Sequence, residues 1–180
     1  MPFSFTQTEI PDVILIEPRV FEDSRGFFLE SFKESPFVEA GITERFVQDN
    51  HSRSAKGTLR GLHYQVEPFA QGKLVRVSRG RVWDVAVDVR PDSPSFAEWV
   101  AEELSADNFR MLYIPPGFAH GFVALEDNTD FLYKCTAEYD AASERGIRWD
   151  DPDLALPWPV AEPLVSERDQ ALPLLSEVFG

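Results

Sequence analysis

Residues 73–89 read KLVRVSRGRVWDVAVDV, and the alternation in this stretch decides the fold class. Lys73, Val75 and Val77 share one face of an extended chain. Trp83, Val85, Val87 and Val89 share another, with Asp84 and Asp88 opposite them. A period of two marks strands covered by a core on one side. The break SRGR at 78–81, with Gly80 free to take a positive φ, reads as the turn of a β-hairpin.

The same signal recurs outward from this hairpin. Strands are expected at VILIEPRVF (13–21), GFFLESF (26–32), MLYIP (111–115), GFVALE (121–126) and DFLYKCTAEY (130–139), punctuated by Gly, Pro, Asp and Asn. SPFVEAGI (35–42) reads as one short helix. FAEWVAEEL (96–104) fits two periods: Phe96, Trp99, Val100 and Glu103 follow a helix, whereas Trp99 and Ala101 alternate with Glu98 and Glu102 as in a strand. From Trp149 the chain turns rich in Pro and Asp (WDDPDLALPWP), which predicts an irregular segment wrapping the domain. Short strands at regular spacing imply a mainly β sandwich or barrel.

Composition bounds the function. A chain of 180 residues suits one domain with a sizeable core. Its net charge of −14 argues against a general nucleic-acid binder. Residues 58–90 nevertheless carry six Lys and Arg against three Asp and Glu, a local +3 that leaves −17 elsewhere. A basic patch in an acidic protein suits a small anionic ligand. One cysteine, Cys135, leaves no internal disulfide framework and no multi-cysteine metal cluster. No apolar run is long enough to span a membrane, and the N-terminus lacks the pattern of a secretory signal. A cytoplasmic location is expected.

The three histidines are His51, His63 and His120. In TLRGLHYQ (58–65), His63 falls on one side of a strand with Leu59 and Gly61, and Arg60 falls on the other unless Gly61 introduces a bend. His120 follows a rigid turn in Pro115-x-Gly117-x-x-His120. Gly57, His63, Gln65, Lys73 and Gly80 precede it in an ordered series. Together these resemble the two motifs of the cupins, small jelly-roll-like barrels of the double-stranded β-helix type. Metal-binding cupins place a second His and a Glu where this chain has Gln65 and Lys73. An ammonium ~4 Å from a divalent ion would be repelled by roughly 8 kcal/mol at an effective dielectric of ~20. His63 and His120 alone are too few ligands. The expectation is therefore a cupin-like barrel with short helices, no metal and no cofactor, in which Lys73 meets an anionic substrate oxygen.

The resemblance becomes specific in an ordered set of stretches. These are FEDSRGFFLESF, QDNHSRSAKGTLRGLHYQ, QGKLVRVSRGRVWDVAVDVR, YIPPGFAHGF, FLYKCTAEY, ERGIRWDDPDL and LVSERDQALPLL. Running from Phe21 to Leu175, they resemble the dTDP-4-dehydrorhamnose 3,5-epimerase family. The resemblance implies a dTDP-linked 4-keto sugar whose ketone acidifies C3 and C5. It implies His63 as the base, Asp169 as its partner, Tyr133 as the proton donor and Lys73 as stabiliser of the oxyanion at O4. It implies substrate binding by Arg25, Glu30, Gln48, Asp49, Asn50, Arg60, His120, Glu144 and Arg168, with Tyr139 stacking on the base. Glu138, Asp140 and Ala141 depart from the family's usual aromatic-and-proline stretch around Tyr139. No role is assigned to His51, and Cys135 is expected as a small buried residue.

The domain organisation expected is one unit over 1–180. Strands in about 1–50 would serve a homodimer, about 51–140 would form the barrel, and 141–180 would wrap it. Other readings are a monoepimerase acting at C3 or C5 alone, a cupin that binds a sugar nucleotide without turnover, and a metal-dependent dioxygenase, against which Lys73 and Gln65 argue.

Overall fold

A computed structural model describes residues 2–180. In chain order the elements are β1 (Phe3–Gln7), β2 (Ile14–Pro18), β3 (Val20–Asp23), β4 (Gly26–Leu29), α1 (Glu34–Glu39), β5 (Gln48–Ser54), β6 (Thr58–Gln65), β7 (Lys73–Arg79), β8 (Arg81–Asp88), β9 (Trp99–Ser105), β10 (Met111–Ile114), β11 (Phe118–Ala124), β12 (Thr129–Cys135), β13 (Glu144–Gly146), β14 (Leu164–Val165), α2 (Glu167–Gln170) and α3 (Leu175–Phe179). One sheet runs β1-β2-β10-β7-β12-β5, and the other β13-β6-β11-β8-β9 with β14 beside β6. β3 and β4 form a separate two-stranded arm. No helix among the described residues is long and apolar enough to cross a membrane.

The mainly β class expected from the alternation is what forms. The two sheets face one another as a sandwich, and backbone pairing does not close them into a continuous barrel. Val75, Val77, Leu112, Ile114 and Phe131 from one sheet pack between the sheets on Val82, Ala86, Val100, Phe118 and Phe122 from the other.

The expected hairpin across 73–89 is not there. β7 pairs with β10 and β12, whereas β8 pairs with β11 and β9. The SRGR stretch instead carries the chain from one sheet to the other. Gly80 takes φ +78 at this corner, and a Cβ there would meet Thr129 Oγ1 at 2.3 Å. Alternation reports a strand and its faces, but it does not report the partner.

The faces of β8 are also reversed from the simplest reading. Trp83, Val85 and Val87 point outward, under a cover of Ile147, Leu154 and Leu175 from the C-terminal segment. Trp158 packs edge-on to Trp83 at 5.0 Å. Asp84 therefore lies between the sheets, fully buried. Leu154, Leu156, Trp158, Leu175 and Phe179 from the segment after Trp149 pack on this face, which makes an apolar outer face possible on the sheet.

The ambiguous stretch 96–104 forms strand from Trp99 onward as part of β9, after a turn at 96–97. Val100 and Leu104 face the inter-sheet core while Trp99 and Ala101 face the C-terminal cover, so burial on both faces overrides helix propensity. The run 13–21 divides into β2 and β3, and 130–139 stays extended only to Cys135. The expected short helix is α1, whose Phe37 meets Phe3, Phe5 and Phe32 at ring distances of 5.2, 5.2 and 4.9 Å on the outer face of the first sheet.

Candidate active site

The site is organised by an irregularity in β6. His120 of β11 lies opposite His63, yet Phe122, two residues on, lies opposite Arg60. Two residues of β6, Gly61 and Leu62, thus face the single Gly121, which is a β-bulge. The extra residue cancels one step of alternation, so Arg60 and His63 project to the same side, both into a cavity of about 290 Å³ between the sheets. Only glycines fit at this crossing. Gly61 has φ +124, and a Cβ on it would lie 2.6 Å from Gly121 Cα and 2.7 Å from the His120 carbonyl.

His63 is joined to Asp169 through Nε2 and Oδ1 at 2.7 Å. The aspartate sits in α2, where Ser166 caps the helix by accepting from the Asp169 N–H at 3.1 Å. Its second oxygen accepts from the Gly61 N–H at 3.1 Å. Burial works to raise the Asp169 carboxyl, but the hydrogen bond and charge of His63, the Gly61 N–H and Arg168 together hold it below the usual carboxylate range. An ionised Asp169 fixes the Nε2–H tautomer of neutral His63 and leaves the Nδ1 lone pair free to take a proton.

Lys73 enters the same cavity from β7, and Tyr133 from β12, opposite Val75. Lys73 is buried, and its Nζ lies 3.4 Å from the His63 carbonyl oxygen. Burial pushes its ammonium downward, opposed by the charges of Cys135, Asp84 and Glu144. Tyr133 is pushed upward, chiefly by burial, so it is a neutral phenol able to donate. Beneath them the rings of Phe122 and Phe131 stack at 4.0 Å and 17°. The cleft thus brings an imidazole, an amine and a phenol together, groups of the kind that can exchange a carbon-bound proton and stabilise an enolate.

An adjoining cavity of about 310 Å³ shares His63, Lys73 and Tyr133 and opens past Gln48, Asn50, Tyr139 and Glu144. At this mouth Tyr139 Oη donates to Glu144 Oε2 at 2.7 Å, and Arg168 pairs with the same oxygen. The loop around Tyr139 is firmly held despite its unusual sequence. Gln48 Oε1 accepts from the Tyr139 N–H at 2.8 Å, Gln65 Oε1 from the Asp140 N–H at 2.9 Å, and Gln65 Nε2 donates to the Phe69 and Glu138 carbonyls. Gln65, at a position where metal cupins carry a ligand, is therefore a loop anchor.

Three expected binding residues lie away from this cleft. Arg25 is exposed on the β3–β4 arm, paired with Asp23 at 2.6 Å. Glu30 follows that arm and lines neither cavity. Asp49 faces outward from β5 and pairs with Lys134 at 2.9 Å, because alternation turns only Gln48, Asn50, Ser52 and Ser54 inward. Conversely, Asp84 joins the site unannounced, bonded to His120 Nε2 through Oδ2 at 2.8 Å. Its position opposite Trp83, Val85, Val87 and Val89 was visible, but that pattern reads as a solvated face. His51 bonds Asp130 at 3.1 Å on the outer surface, and Cys135 is buried as expected.

The model of the dTDP-4-dehydrorhamnose 3,5-epimerase family matches residues 7–177. The chain is 58% identical over 167 residues to the dTDP-4-dehydrorhamnose 3,5-epimerase of Pseudomonas aeruginosa, covering 92% of each protein. It superposes with a TM-score of 0.93 and 50% identity on a dTDP-6-deoxy-D-glucose-3,5-epimerase from Legionella pneumophila in complex with dTDP-4-keto-L-rhamnose, over 97% of this chain and 93% of that one. A 3'-monoepimerase from Streptomyces bikiniensis in complex with dTDP-quinovose is also similar, with a TM-score of 0.89 and 34% identity over 94% of this chain and 87% of that one. With the family model matched over residues 7–177 and relatives of this identity covering nearly the whole chain, this protein belongs to the dTDP-4-dehydrorhamnose 3,5-epimerase family.

Proposed function

We propose that this protein inverts C3 and C5 of dTDP-4-dehydro-6-deoxy-D-glucose to give dTDP-4-dehydro-L-rhamnose, without a metal. The observation that carries the reading is the convergence of His63, Lys73 and Tyr133 on one cleft, with His63 backed by Asp169. At each carbon His63 removes the C–H proton, and the electron pair moves into the enolate, whose oxygen faces the Lys73 ammonium. A donor so placed is worth about 3 kcal/mol at the transition state. Tyr133 then delivers its phenolic proton to the opposite face of the carbon. Solvent returns a proton to Tyr133 and takes one from His63. The 4-ketone supplies the acidity, so no redox group takes part. The metal-independent reading rests on Lys73, whose ammonium stands where a metal would need a ligand.

Arg60 and Arg168 at the cleft suit diphosphate oxygens. Arg25 and Glu30 would reach a substrate only from a second copy. The arm that carries Arg25 leaves Phe27 and Phe28 60% and 65% exposed, a surface suited to burial against a partner. We read the protein as a homodimer on this ground, and replacing both phenylalanines by serine should yield a monomer by sedimentation. Double inversion is favoured over the monoepimerase by the much higher identity to the 3,5-epimerases. Trapping the product with borohydride tests this. Sugars of the L-series, inverted at both carbons, support the reading, and inversion at one carbon or none contradicts it.

A further inference from the structure

Asp84 is an ionisable side chain with no solvent exposure, on a strand whose neighbouring inward residues are Val82 and Ala86. Its Oδ2 is occupied by His120, but its Oδ1 has no hydrogen-bond partner among the described residues. An anion so buried persists only with compensating charge. Lys73 has the complementary problem. It is buried, it makes no ion pair among the described residues, and its one hydrogen bond is the long one to the His63 carbonyl. The titratable groups lining the cavities with it include Arg60 and His63 on β6, His120 on β11, Tyr133 on β12, Glu144 on β13, and Arg168 and Asp169 on α2, and Asp84 on β8 and Cys135 on β12 also act on it electrostatically. Glu144 is committed to Tyr139 and Arg168. Burial pushes the Cys135 thiol up to about 11, which leaves it uncharged near neutrality. Asp169 is committed to His63 and the Gly61 N–H. Asp84, bonded to His120, is the carboxyl left with an unpartnered oxygen, and burial raises it against the opposing charges of His120 and Lys73.

We propose that Asp84 is a positioning residue of the reaction, which fixes the His120 ring from beneath the cleft and holds Lys73 as an ammonium facing the oxygen that becomes an enolate. This rests on the epimerase reading. A buried ammonium and a buried carboxylate sustain one another, and removal of the carboxylate leaves a cation that sheds its proton. Asp84 touches no substrate, so its effect passes through Lys73 and His120.

The test replaces Asp84 with the near-isosteric Asn and follows two readouts. With dTDP-4-keto-6-deoxyglucose as substrate, kcat should fall about 10- to 100-fold with KM changed less than about 3-fold, and the alkaline limb of kcat should move down by about one pH unit or more. An unchanged pH profile overturns the proposal, since a purely structural loss lowers activity without moving that limb. The second readout is the 13C NMR titration of Lys73 in lysine-labelled protein, assigned by the signal lost in Lys73→Met. Lys73 should be an ammonium near pH 7 in the wild type, with a lower midpoint in D84N. A neutral Lys73 in the wild type overturns the proposal even if D84N does not fold. This titration needs no turnover. If wild-type protein proved inactive, the epimerase reading would fail while the Asp84–Lys73 coupling was still judged.

Discussion

His63 Nε2 and Asp169 Oδ1 stand 2.7 Å apart although 106 residues separate them in the chain. The contact ties the C-terminal wrap to the strand that lines the cleft, so folding the wrap completes the site. His63→Ala should therefore lower turnover by about 10²–10⁴-fold and leave dTDP affinity within about 3-fold. Asp169→Asn should reach a comparable loss through the wrong tautomer, with the imidazole still in place. Steady-state kinetics beside calorimetric titration with dTDP checks both, and retained turnover in either variant would remove the pair from its role.

Tyr133→Phe separates the base from the acid. His63 still removes a proton and returns one to the same face, while the opposite face has no donor. The expected outcome is deuterium incorporation from solvent with configuration retained, and inversion slowed by about 10²-fold or more. NMR of the recovered sugar nucleotide distinguishes exchange from inversion.

The bulge is tested by Gly61→Ala. The added methyl would meet Gly121 and the His120 carbonyl, both backbone, at a φ that alanine disfavours. A loss of about 2–4 kcal/mol in chemical denaturation is expected. Activity should fall further than stability accounts for, because Arg60 and His63 share a face only through this bulge.

Acid stability is predicted to depend on Asp88. Burial alone would raise its carboxyl, yet hydrogen bonds from Arg90, Ser93 and Ser95 lower it to about 2. A carboxyl depressed in the folded state contributes stability that is complete above its unfolded value near 4 and disappears as pH falls toward 2. The contribution is roughly 2 kcal/mol. Asp88→Asn should lower the Tm at pH 7 and flatten its decline between about pH 4 and 2. An unchanged acid limb would contradict the assignment.

Much of this was legible in the chain because the relevant signals are local. Alternation located β7, β8, β10, β11 and β12, and the ordered motifs located His63, Lys73, Tyr133 and Asp169. What was hidden depends on partners. β7 and β8 are joined by a glycine corner that looks like a hairpin turn, and only the rest of each sheet decides otherwise. β5 (QDNHSRS) escaped notice because an edge strand lining a polar cleft carries no apolar alternation. Asp84 lies opposite an apolar face, which usually marks a solvated side, but the C-terminal wrap inverts that meaning here. Asp49 carries the right residue type on the wrong side of β5, and Arg25 and Glu30 lie on an arm that reaches no cleft of its own chain.

The most direct measurement is proton NMR of the purified protein with dTDP-4-keto-6-deoxyglucose in deuterated water, with chelator present and no metal added. Loss of both the C3 and the C5 proton signals, at a rate abolished by His63→Ala, is the predicted result. Exchange at one carbon only, exchange at neither, or exchange that appears only when a metal is supplied in place of the chelator would contradict the account.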